Sequence, residues 1–262
     1  MAEVRAWFVG VGERVTSAVA YTGGAFILFA QTLFWTSRPP FRWRATYEQM
    51  MKIGVDSLPI ATLTNFFIGV VIAFQSAYQM KRVSAEIYIP SLVAISICRE
   101  IGPVITGLVV AGRIGASIAA EIGSMKVTEQ VDALQSLAAN PVKYLVVPRF
   151  IALVTMLPIL TIYADMIGML GGYVVGVYKL GLASTMYVKM TFEPLAIKDV
   201  MTGLVKTIFF AILISVISCY QGLRVEGGAE GVGLATTRAV VLSFIFIIVF
   251  DALFTVIFYF VT

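Results

Sequence analysis

The chain has 262 residues, 59% of them hydrophobic and 13% charged, with a formal net charge of +4 and a mean hydropathy of +0.92. Soluble domains carry about 25% charged residues, so a soluble globular fold is excluded and a polytopic membrane protein is indicated. The absence of histidine removes histidine metal sites and histidine general bases; Cys98 and Cys219 lie in apolar runs and argue against a disulfide framework; the modest basic excess reads as loop charge rather than a nucleic-acid site.

Residues 1–17 mix Arg5 and Arg14 with Trp7, Phe8 and Val9, which suits an interfacial amphipathic helix. An apolar stretch, 18–36, follows. It is interrupted by Gly23–Gly24 and ends before "SRPP", and it is expected to lie in the interface, with a sixth span as the alternative. No cleavable signal is expected, because "SAVA" precedes the long apolar run instead of following it. Five long apolar runs then predict spans at roughly 53–80, 87–112, 145–178, 200–222 and 239–261. The expected fold is all-α: a polytopic bundle of five spans, with 1–44 as an N-terminal interfacial region and 45–262 as one transmembrane domain.

Placing the region before residue 53 in the cytoplasm puts Arg5, Arg14, Arg38, Arg42, Arg44, Lys52, Arg113, Lys126, Lys143, Arg149, Arg224 and Arg238 inside. Only Lys81, Arg82, Lys179, Lys189 and Lys198 fall outside. The positive-inside rule favours this orientation, with an external C-terminus.

Within the 113–144 loop, Val127, Val131, Leu134 and Leu137 recur at helical spacing. Thr128 is the expected N-cap of a helix over 127–138, Glu129 and Asp132 suit its first turn, and Asn140-Pro141 ends it. Such a helix could dock in a groove of a soluble partner or rest on headgroups.

Arg99 and Glu100 interrupt the second span, Lys206 the fourth and Asp251 the fifth. One central charge costs about 2.5–3.5 kcal/mol on insertion scales, so four would need mutual neutralisation. At about 1.5 Å per residue, Arg99 lies roughly 18 Å below Ile87, Asp251 roughly 15 Å below Val261 and Lys206 roughly 9 Å below Val200. A single cluster is therefore expected, either structural, or rearranging during a transport cycle, or handling a headgroup. Asp165 could face a cavity, and Asp56 is expected to reach the interface. Ala111, Gly115 and Ala119, Gly112, Ala116 and Ala120, and Gly168, Gly172 and Gly176 are small residues four apart, expected at helix contacts. At the outer end of the first span, Ile72, Phe74, Met80 and Val83 alternate with Gln75, Tyr78 and Gln79 beside Lys81 and Arg82. That mixture suits acyl chains and a headgroup, or an ordinary interfacial belt.

Three ordered motifs carry a family resemblance. "REIGPVITGLVVAGRIGASIAAEIGSMKVTEQVDAL", "NPVKYLVVPR" at 140–149 and "GGAEGVGLATTRAVV" at 227–241 resemble the MlaE/YrbE permease family from about residue 45 onward. The resemblance implies the membrane subunit of an ABC transporter that moves phospholipid or a related lipid across a bacterial envelope, in the inner membrane, without catalytic residues. It implies a homodimer, a cytoplasmic ATPase dimer, an MCE-domain protein on the periplasmic side and, in some systems, a STAS-domain regulator. It further implies an N-terminal elbow helix and a coupling helix, with ATPase coupling expected at Glu121, Thr128, Glu129, Gln130 and Asp132. It places the buried charges on Arg99, Glu100, Lys206 and Asp251, and the first span along an outward cavity, with lipid contact at Ile72, Phe74, Gln75, Tyr78, Gln79, Met80 and Val83. The chain lacks a G-x-x-x-x-G-K-[ST] loop, so no cofactor is expected on it, and ATP and Mg would be used by the partner. An ion-coupled secondary transporter using the same charges is the alternative. A lipid-modifying enzyme finds no nucleophile–base or metal set.

Overall fold

The computed structural model describes residues 2–261, with side chains for residue 16 and for 19–260. The described chain is helical and contains no strand. Helix α1 (Ala2–Thr36) is followed by α2 (Trp43–Gly54), which passes through a 3-10 turn, Val55–Ser57, into α3 (Leu58–Lys81). Helix α4 runs Glu86–Val127, α5 Gln130–Ser136, α6 Val142–Tyr178, α7 Ser184–Phe192, α8 Ile197–Leu223 and α9 Gly228–Val261. Among the described residues, five segments are long and apolar enough to cross a membrane: α2–α3, α4, α6, α8 and α9. The protein is therefore a multi-pass membrane protein with an all-α fold. Loops alternate between two ends of the bundle, one carrying α5 and the other α7.

The spans outlast their apolar runs because the helices continue past them into polar sequence. Packing is closest where side chains are smallest. On α3, Ala61, Asn65, Gly69, Ala73 and Ala77 form one buried stripe. A Cβ on Gly69 would stand 1.8 Å from the carbonyl oxygen of Gly168, and one on Gly171 2.2 Å from that of Phe66. Backbone thus meets backbone between α3 and α6, which only glycine permits. On α4, Ala111 and Ala119 are fully buried, and Gly115 faces Ser218 and Ile214 of α8. Gly176 is covered by the ring of Tyr187, which plugs the α7 end.

Two of the long helices open into π turns where proline demands it. The turns Ile97–Ile101 and Val142–Val146 precede Gly102-Pro103 and Val147-Pro148, and in each the closing N–H reaches five residues back, Gly102 to Ile97 and Val147 to Val142. Proline offers no N–H and its ring crowds the carbonyl four residues earlier; a wider turn relieves that contact. A third π turn, Ala111–Gly115, lacks a following proline and holds Gly112 and Gly115.

The N-terminal expectation needs correcting. Residues 1–17 and 18–36 are not two elements, because α1 is continuous through Gly23–Gly24. Gly24 is there for contact, since a Cβ would meet the Tyr220 hydroxyl at 2.1 Å. The amphipathic character expected of 1–17 falls on side chains outside the described residues. From Tyr21 onward α1 touches Tyr220 and Gln221 at the end of α8, Phe150 near the start of α6, and Lys143 beside Trp35. All of these lie toward the α5 end, so this half of α1 runs across that end of the bundle and does not traverse it.

Candidate functional site

Lys206 is fully buried, among the largest such side chains of the described residues. Its ammonium donates to Glu100 Oε2, to Asp251 Oδ1 at 2.9 Å and to Thr255 Oγ1 at 2.8 Å. An ammonium has three N–H donors, and all three are used. The Thr255 hydroxyl proton then has two acceptors in reach, Glu100 Oε2 at 3.1 Å and the Asp251 carbonyl at 2.9 Å. Glu100 comes from the first π turn of α4, Lys206 from α8, and Asp251 and Thr255 from α9, so the group ties three spans together.

Arg99 is not part of it. Its guanidinium lies 3.7 Å from Asp199 Oδ1, on the first turn of α8. The expected single neutral cluster of Arg99, Glu100, Lys206 and Asp251 is thus two neighbouring groups, Arg99–Asp199 and Glu100–Lys206–Asp251, with three carboxylates against two cations. Asp199 Oδ2 also accepts from the Ala196 N–H at 3.2 Å, and its position at a helix N-terminus favours its negative charge. Sequence reasoning missed Asp199 and Thr255. Asp199 could have been found by asking which carboxylate near a span terminus matched the depth of Arg99.

A second set of charges closes the α5 end. Glu121 of α4 accepts from Lys52 of α2 and, at 2.9 Å, from Arg149 of α6. Arg113, in the third π turn, donates to Ser57 Oγ at 2.8 Å and stands 3.7 Å from Asp56. Glu121 therefore faces inward and staples three helices, and does not share a surface with Thr128, Glu129, Gln130 and Asp132.

Those four residues form the corner between α4 and α5. Thr128 is not an N-cap: its hydroxyl donates back to the Ser124 carbonyl at 2.8 Å, ending α4. The helix expected over 127–138 begins later and is shorter, Gln130–Ser136, because Glu129 and Ala138 both adopt left-handed backbone, with φ of 59° and 56°. Val131 is buried beneath the corner, whereas Val127 and Leu137 are exposed. Gln130 donates to Thr128 Oγ1 at 3.1 Å, and Lys126 holds Asp132 at 2.8 Å.

The family model for Permease MlaE matches residues 46–257, nearly the whole transmembrane region just described. The chain belongs to the MlaE permease family. The similar proteins include a probable ABC transporter permease protein of Rickettsia typhi, 48% identical over 94% of this chain and 95% of that one. Another, from Synechocystis, is 40% identical over 93% of this chain and 88% of that one. The chloroplastic protein Trigalactosyldiacylglycerol 1 of Arabidopsis thaliana is 36% identical over 86% of this chain and 64% of that one.

In this MlaE permease the first-span residues separate into two sets. Phe74, Gln75, Tyr78, Gln79 and Val83 are exposed, whereas Ile72 and Met80 pack inward against a cluster of Ala73, Ala77, Ile89, Val93, Ile97 and Val175. Arg82 donates to the Tyr78 hydroxyl and stacks over its ring. The exposed set continues a stripe of Leu63, Phe67 and Val71 along α3. Asp165 is buried, with Oδ1 against Gly102 and no hydrogen-bond partner for that oxygen among the described residues. Asp56 is exposed at the end of its span, paired with Arg113. No group of three His, Cys, Asp or Glu side chains that could hold a metal occurs among the described residues.

Proposed function

We propose that this MlaE permease moves phospholipid along the exposed face of α3, driven by ATP and Mg in a separate cytoplasmic ATPase dimer docked at the α4–α5 corner. The observation that carries the reading is the α3 stripe of Leu63, Phe67, Val71, Phe74 and Tyr78, which runs the length of the span and ends in Gln75, Gln79, Lys81 and Arg82. Acyl chains suit the apolar part, and a headgroup phosphate suits the amides and cations at the end. Two copies pairing along α3 would enclose such a path, with the α7 end in the periplasm facing an MCE-domain protein and the α5 end in the cytoplasm of an inner-membrane protein. A STAS-domain regulator fits the same cytoplasmic assembly. The chloroplastic relative's name refers to a diacylglycerol lipid, which favours a lipid over an ion.

Photo-crosslinking in living cells tests the reading. A crosslinking residue at Phe74 or Tyr78 should capture phospholipid well above one at Ile247, which is fully buried. Equal capture at the three positions would refute the path. The ion-coupled alternative is separated by purification in mild detergent: an ABC permease brings an ATPase with it, and a secondary transporter does not.

A further inference from the structure

We propose that the corner where α1 meets the start of α6 is a binding site for the headgroup of an anionic phospholipid. A pocket there is lined by Trp35, Arg38, Phe41, Arg42, Trp43 and Lys143, among others. It concentrates three cations. Of the other basic groups at the α5 end, Lys52 and Arg149 pair with Glu121, Arg113 with Asp56, Lys126 with Asp132 and Arg44 with Glu48, whereas Arg224 stands alone over the Tyr220 ring, away from this pocket. Arg38, Arg42 and Lys143 have no carboxylate within ion-pair distance among the described residues.

Their charge is instead held over rings and beside carbonyls. Arg38 stacks 4.1 Å from the Phe34 ring, Arg42 3.5 Å from that of Tyr144, and Lys143 5.1 Å from that of Trp35. Lys143 also donates to the Pro39 carbonyl at 3.0 Å. Arg42 reaches toward the Tyr144 carbonyl at 3.5 Å, which Pro148 cannot serve because it has no N–H. These contacts fix the cations in place without neutralising them. A phosphate diester supplies the missing anion.

The surroundings select a lipid over a soluble phosphate. Leu33, Phe34, Phe41 and Trp43 are exposed around the pocket, giving acyl chains an apolar margin. Indole rings favour the headgroup level of a membrane, and basic pockets between membrane helices hold anionic headgroups. Because α1 runs across the end of the bundle, its last turn lies at that level. The site is at the opposite end from Gln75, Gln79 and Lys81, so it is separate from the α3 path and does not depend on it.

The test uses the full chain with Trp7→Phe, which leaves Trp35 and Trp43 as the remaining indoles of three. It is placed in phosphatidylcholine nanodiscs containing a minor fraction of phosphatidylglycerol with brominated acyl chains. Bromine should quench indole fluorescence more strongly when carried by phosphatidylglycerol than by phosphatidylcholine at the same fraction. Each of Arg38→Gln, Arg42→Gln and Lys143→Gln should lower that preference about fivefold, and Lys179→Gln, a charge loss at the α7 end, should not. Arg38→Gln keeps the test sound if the other two perturb folding, since its ring contact is local, to Phe34 four residues earlier in the chain. Equal quenching by the two lipids overturns the proposal. So does loss of the preference in inorganic phosphate at constant ionic strength, which would assign the site to free phosphate.

Discussion

Replacing Lys206 by methionine keeps the unbranched stem up to the ε position and removes the ammonium. Glu100 and Asp251 then face one another with only Thr255 between them. Breaking a buried ion group by removing one partner costs about 3–5 kcal/mol. The Glu100 and Asp251 side chains keep 31% and 21% of their exposure, so screening puts the expected loss near the lower end, about 3 kcal/mol. Adding Glu100→Gln and Asp251→Asn should recover most of it, because no charge is left buried and Thr255 can still bond the amides. The assay is thermal denaturation of the detergent-solubilised protein, followed by size-exclusion fluorescence. A single variant as stable as the parent would refute the reasoning, and so would a triple variant no more stable than the single.

The Arg99–Asp199 pairing predicts that Arg99→Ala and Asp199→Ala are strongly non-additive in the same assay, while Arg99→Ala and Glu100→Ala come much closer to adding. Gly69→Ala drives a methyl into the Gly168 carbonyl and should destabilise by about 1–3 kcal/mol or more; Gly233→Ala, with nothing within 4 Å of its Cβ, should be neutral or stabilising by up to about 1 kcal/mol. Asp132→Lys removes the Lys126 pair and reverses the charge of the α4–α5 corner, so it should reduce co-purification of the ATPase while leaving thermal stability nearly unchanged. Stability loss without loss of the ATPase would make the corner structural.

The sequence made the spans legible because long apolar runs have few alternatives in lipid, and it made Lys206 and Asp251 legible because a charge in such a run needs a partner. Residue type alone misled at two places. Thr128 is a favoured N-cap, yet its hydroxyl reaches Ser124 and closes the helix before it, since the chain turns one residue later at Glu129. Gly23–Gly24 looked like a break, yet α1 passes through it, and Gly24 serves the approach of Tyr220. The Arg99 pairing was hidden for another reason. Neighbouring residues in an α-helix point about 100° apart, and nothing in the local pattern says which partner each will find once a π turn redirects them. The separation of Ile72 and Met80 from Phe74 and Tyr78 follows from helical phase, visible once the small-residue stripe on α3 is recognised.

The π turns bear on how relatives are aligned. Each accommodates about one residue more than the α turn it replaces. Deleting Ile101 would close the first π turn into ordinary α-helix and swing the part of α4 before it by about 100° relative to the part after it. Ile89, Val93 and Ile97 would leave their cluster, and Arg99 and Glu100 would lose their partners together. A one-residue gap at this point in a relative therefore signals a differently wired span, even where every flanking residue is the same.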